Sequence, residues 1–109
     1  MGIESLRAEY LDLVNVQLPA IARVRKFPIR VGHCFGRVLL DHLFSDCWYG
    51  HLNQFGKVPA YRQLSEDQLV RAIAMAQAFI DEPNSYIQRI NKESKVWRQN
   101  AKALSRMSV

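Results

Sequence analysis

Lys95, Arg98, Lys102 and Arg106 recur at three- and four-residue steps, with Arg89 upstream, so a helix would align their cations along one side. At about 100° per residue the four fall within roughly 80° of each other. A row of this kind contacts phosphates and releases their counterions on binding. Residues 83–109 carry six basic side chains against the single acid Glu93, whereas residues 1–82 are balanced at nine of each sign. The whole net charge of +5 therefore belongs to this segment. An ordinary solvated helix mixes the signs. A second cluster, Arg23, Arg25, Lys26 and Arg30 around Phe27, has no acid within it. It either joins the first in one basic surface or satisfies the carbonyls and negative dipole at a helix end.

Three other groups of residues have the right types for chemistry. Arg37 and Asp41 stand four apart, able to pair on a helix in the weaker order, and His42 follows directly. Together they suggest a small polar cleft in which Arg37 holds an anion and Asp41 or His42 acts as base. Cys34 is the one nucleophile near them in sequence. His33, Cys34, His42, Cys47 and His51 are zinc-ligand types, but no CxxC or HxxxH pair occurs. Cys47 and His51 would share a helical face, while Cys34 and His42 lie roughly 80° apart on the wheel. The expectation is reduced, buried thiols and a hydrogen-bonded core His42, with no metal and no cofactor. Among the aromatics, Trp97 reads as core, Phe55 and Tyr61 as anchors, and Trp48-Tyr49 as either core or an exposed stacking patch.

The elements that would position these groups are helical. Leu6, Tyr10, Leu13, Val14 and Gln17 mark a first helix over 4–17. Pro19 cannot continue it without a kink, and proline is tolerated as the opening residue of a short second helix to about Lys26. A third, from about 30 to 45, is apolar on most sides and therefore central, and its Gly32 and Gly36 leave room for a close neighbour. A short helix over 46–52 is capped by Ser45 or Asp46, a loop follows with Gly56 at its turn, and Pro59–Arg62 forms a helical turn. Ser65 and Gln68 form a capping box, opening a helix that Pro83 ends. The last helix, over 85–106 with Asn84 as cap, buries Tyr86, Ile87, Ile90, Trp97, Ala101 and Leu104. No stretch alternates with period two, so strands are not expected.

The chain of 109 residues, 49% hydrophobic and 23% charged, excludes disordered and fibrous classes. No apolar run is long enough to span a membrane. The N-terminal residues do not resemble a secretion signal, so the expected location is the cytoplasm. The fold expected is all-α: one domain over 1–109, a bundle of five or six helices ending in a long amphipathic one. With no nucleophile elbow, P-loop or dinucleotide fingerprint, binding is favoured over catalysis. The expected partner is nucleic acid, DNA or RNA, contacted with little sequence specificity through Arg89, Lys95, Arg98, Lys102 and Arg106, joined by Arg23, Arg25 and Lys26. The alternative is a protein-interaction module, an adaptor or inhibitor, docking an acidic protein. A small enzyme using Arg37, Asp41 and His42 ranks third.

Overall fold

The computed structural model describes residues 2–53 and 56–107, with side chains through Leu104. Phe55, expected as an anchor, and the Arg106 side chain lie outside the described residues. Among those described, all regular structure is helical. The first rod comprises helix α1 (Ile3–Asp12), a π-helical segment (Leu13–Gln17) and helix α2 (Leu18–Arg25). Three further rods follow: α3 (Gly32–Phe44), α4 (Glu66–Asp81) and α5 (Asn84–Met107). Two 3-10 turns, Trp48–Gly50 and Ala60–Gln63, lie between α3 and α4.

Pro19 opens α2 as expected, lying in its first turn, though the chain stays helical on both sides of it. The proline has no N–H to donate, and its ring would strike the carbonyl four residues back in a regular α-helix. The wider π turn immediately before it relieves both problems, with the Leu18 N–H reaching Leu13 O, and the rod runs on. The helix expected over 46–52 shrinks to the Trp48–Gly50 turn. Ser45 does not open it; with φ 51° it closes α3 in the left-handed region, and Asp46 N–H turns back to Asp41 O at 3.1 Å. By contrast, the Ser65 capping box forms as its spacing implies: Gln68 N–H donates to Ser65 Oγ and Ser65 N–H to Gln68 Oε1.

The core is one contiguous cluster drawn from every rod. Leu18 and Ala22, Phe35, Val38 and Leu39, and Leu69, Ala72, Ala76 and Phe79 are wholly inaccessible, with Ile87 and Ile90 of α5 closing it. Each fully buried Leu or Phe contributes about 2–3 kcal/mol of hydrophobic stabilisation. Helix α3 is central, packing on the first rod, α4 and α5. Its two glycines do face a close neighbour. A Cβ on Gly32 would land on the Asn15 side-chain oxygen, and one on Gly36 would lie 3.6 Å from the Tyr10 hydroxyl oxygen. Leu104, expected on the buried face of α5, is 67% exposed. Helix α3 has 13 residues against the 24 of α5 and so cannot line its whole length. No described helix is long and apolar enough to cross a membrane.

Candidate functional site

On the α3–α5 interface, a polar ladder interrupts two otherwise apolar faces. From α3 come Arg37 and Asp41, four apart; from α5 come Asn91, Ser94 and Arg98, three and four apart. These steps bring each set onto one side of its helix. The expected Arg37–Asp41 pair does not form. Instead, both residues reach across to α5: Arg37 Nη2 donates to Asn91 Oδ1 at 2.6 Å, and Asp41 pairs with Arg98.

Asp41 is wholly buried and accepts from four donors. Its Oδ2 takes Ser94 Oγ at 2.6 Å and Arg98 Nε at 3.0 Å; its Oδ1 takes Trp48 N–H at 3.0 Å and Arg98 Nη2 at 3.4 Å. This one carboxylate therefore fixes the α3–α5 register and the start of the Trp48–Gly50 turn together. Burial pulls the Arg98 guanidinium down, but hydrogen bonding to Tyr49 and to Asp41, and the Asp41 charge, outweigh it and hold the group above the ordinary arginine value. The guanidinium also lies over the Tyr49 ring, 4.9 Å from its centroid.

Arg37 is different. It is half-buried and forms no ion pair among the described residues. Its Nε is sealed from solvent without a hydrogen-bond partner. It lies in the wall of a cleft of about 590 Å³ between the first rod, α3, the Trp48–Gly50 turn and the Ala60–Gln63 turn. Tyr10, Asn15, His33, Cys34, Trp48, Tyr49, Tyr61 and Arg98 complete the polar and aromatic lining. The π segment supplies Val14 and Asn15 to the rim, and Gly32 lets α3 approach them. Tyr10 is only 4% exposed, and burial pushes its phenol up to about 12. Its hydroxyl has no hydrogen-bond partner among the described residues. Tyr10 and Tyr61 stack at 6.2 Å, forming one wall. The cleft thus combines a guanidinium lacking a counter-ion, a second guanidinium already fixed, a free phenol and a flat aromatic surface. Such a set holds an anionic group and packs the body attached to it.

The other residues singled out from the sequence are distributed as follows. Asp41 sits behind the cleft wall rather than in its lining. His42 faces away from it, with Nε2 3.0 Å from Ile90 O and its ring edge-on to half-buried Trp97 at 4.7 Å. Arg25 serves the fold: Nη1 donates to Phe79 O and Ile80 O, Nη2 to Glu82 O and Nε to Asn84 Oδ1, while Asn84 Nδ2 returns to Arg25 O. It closes the end of α4 and ties α2 to the start of α5. Arg89 lies 3.6 Å from Glu93. Arg23, Lys26, Lys95 and Lys102 are exposed and form no ion pair among the described residues. Arg25 is anchored at Asn84, and Lys102 is 18 residues further along α5. At 1.5 Å per residue that is about 27 Å, well beyond the screening length, whereas Arg89, five residues from Asn84, is only about 8 Å along the axis, so the near end of the α5 row alone lies within reach of Arg25. His51 pairs with Asp46 at 3.2 Å, and no three His, Cys, Asp or Glu side chains among the described residues come together to hold a metal ion.

Asn91, Tyr10, Asn15 and Tyr61 were not identified as site residues from sequence. The signal available was the match of two polar ladders, Arg37–Asp41 and Asn91–Ser94–Arg98, each on a helix otherwise destined for the core. Compared with protein-family models, curated proteins and solved structures, the chain matches none.

Proposed function

We propose that this chain binds a small ligand bearing a carboxylate or phosphate group, held by Arg37 in the cleft beside Tyr10, Tyr61 and Trp48. The observation that carries this reading is the half-buried Arg37 guanidinium in the cleft lining, with no ion-pair partner among the described residues. Taking a cation from water without a partner costs several kcal/mol. A ligand anion supplies the missing partner, and a planar guanidinium matches carboxylate and phosphate oxygens in pairs. The reading is one of binding: Asp41 is saturated by its four donors and His42 lies elsewhere, so neither serves as a base in this cleft.

The test is a thermal-melt series in low-chloride buffer with inorganic phosphate, pyrophosphate and acetate as probes. Binding to the native state raises the melting temperature with concentration. The rise is expected in the parent chain and absent in Arg37→Met. No rise with any of the three, or an equal rise in the variant, overturns the reading.

A second reading rests on a separate observation, the exposed Lys92, Lys95 and Lys102 of α5, which form no ion pair among the described residues. They support electrostatic contact with nucleic-acid phosphates or an acidic protein, by a row shorter than the sequence suggests because Arg98 is engaged by Asp41. Retention of the chain on duplex DNA that falls steeply between about 50 and 200 mM salt, and is lost on Lys95→Glu/Lys102→Glu, is the expected result. Retention unchanged in that double variant removes α5 from such a contact.

A further inference from the structure

A second cavity, of about 350 Å³, adjoins the cleft. It is lined by Asp46, Cys47, Tyr49, Gly50, Arg98, Ala101 and Lys102, and it shares Tyr49 and Arg98 with the cleft. Arg98 therefore stands between the two spaces. Asp41 engages its Nε and Nη2, and Tyr49 also hydrogen-bonds the group; a guanidinium has five N–H donors, so it still has N–H groups to offer an anion. Lys102, one helical turn further, brings a cation without an ion pair among the described residues. The one carboxylate in the second lining, Asp46, is itself engaged by the Cys47 N–H at 2.8 Å and by His51 at 3.2 Å.

Helix α5 measures the spacing of these cations. Arg37 is tied to α5 at Asn91, Arg98 lies seven residues beyond and Lys102 eleven. At 1.5 Å per residue, Arg98 and Lys102 stand about 10 and 16 Å along the axis from the anchor of Arg37. We infer that the ligand is an elongated molecule with an anionic group at each end, one on Arg37 in the cleft and the other between Arg98 and Lys102 in the second cavity, its body passing Tyr49. This rests on the binding reading given above and goes beyond it by fixing the number and spacing of the charges. A molecule engaging both ends gains from effective concentration when its length matches the gap and loses that gain when it is too short.

The experiment is a calorimetric titration of the full chain with glutarate, suberate and sebacate, and with octanoate as the one-ended control. Suberate or sebacate is expected to bind at least about tenfold more tightly than glutarate or octanoate. The matching alkanediol bisphosphates tell phosphate ends from carboxylate ends. Lys102→Ala should abolish the length preference, whereas Lys95→Ala, which removes an equal charge from the same helix but touches neither cavity, should leave it intact. Equal affinity for octanoate and the long diacids, with binding still lost on Arg37→Met, overturns the two-ended ligand and leaves the cleft reading standing. A length preference that survives Lys102→Ala, or falls equally in Lys95→Ala, also overturns it. No binding of any probe overturns both.

Discussion

Replacing Asp41 by asparagine is the sharpest test of how this fold holds its site. The change preserves size and one carbonyl acceptor but removes the charge opposite Arg98. Asp41 has no solvent access, and four donors converge on it. Breaking a buried ion pair by removing one partner costs about 3–5 kcal/mol. The Arg98 side chain is 20% exposed, so water relieves part of its loss, and the new amide still accepts from Trp48 N–H; the lower end, about 3 kcal/mol, applies. For 109 residues the unfolding entropy near the melting point makes this a fall of about 13 °C. Urea and thermal melts of Asp41→Asn, Arg98→Met and the double variant form a thermodynamic cycle. The two single changes should each destabilise strongly, while the double costs about 2 kcal/mol less than their sum, because it leaves no charge stranded. Arg37→Met, one turn away on the same helix, should cost less than about 1 kcal/mol without added anion, since relief of its desolvation offsets the lost Asn91 bond. If Asp41→Asn lies within about 1 kcal/mol of the parent, or the cycle is additive, the carboxylate is not the anchor described above.

Three other outcomes follow from the geometry. The Tyr10 phenol titrates near 12 in the folded chain and near 10 when unfolded, so the native state binds more protons across that window. This group therefore leaves stability unchanged below pH 10 and lowers it by about 2–3 kcal/mol as pH rises to 12, a slope that stability curves of Tyr10→Phe should lack relative to the parent. Arg25→Lys should destabilise by about 2 kcal/mol in urea melts, nearly as much as Arg25→Ala, because a point ammonium cannot reach the carbonyls of Phe79, Ile80 and Glu82 and the Asn84 amide at once; full retention of stability in the lysine variant would show the fork is unimportant. Gly32→Ala should displace the Asn15 side chain from the cleft rim, weakening phosphate binding while costing the fold only about 1–2 kcal/mol, as measured by titration alongside melts.

Local rules in the sequence determined the helical class, the capping box at Ser65, the long amphipathic C-terminal helix and the central position of α3. Each rests on periodicity or on hydrogen bonds between near neighbours, so the residues concerned carry the information themselves. Pro19 shows the limit of that reasoning. Its missing N–H was legible, but the π turn that accommodates it depends on the rod continuing against α3 and α4. The site shows the limit more sharply. The periodicity of α5 assigned Arg98 to a solvated cationic row, and Arg37 and Asp41 were paired by their spacing. Packing of α3 against α5 re-sorted all three, sending Arg98 to Asp41 and leaving Arg37 without a counter-ion beside a cleft. Charges pair through space and burial sets what each pairing is worth, so a one-dimensional pattern names the cations, and only the tertiary contacts decide which of them remains free to meet an anion.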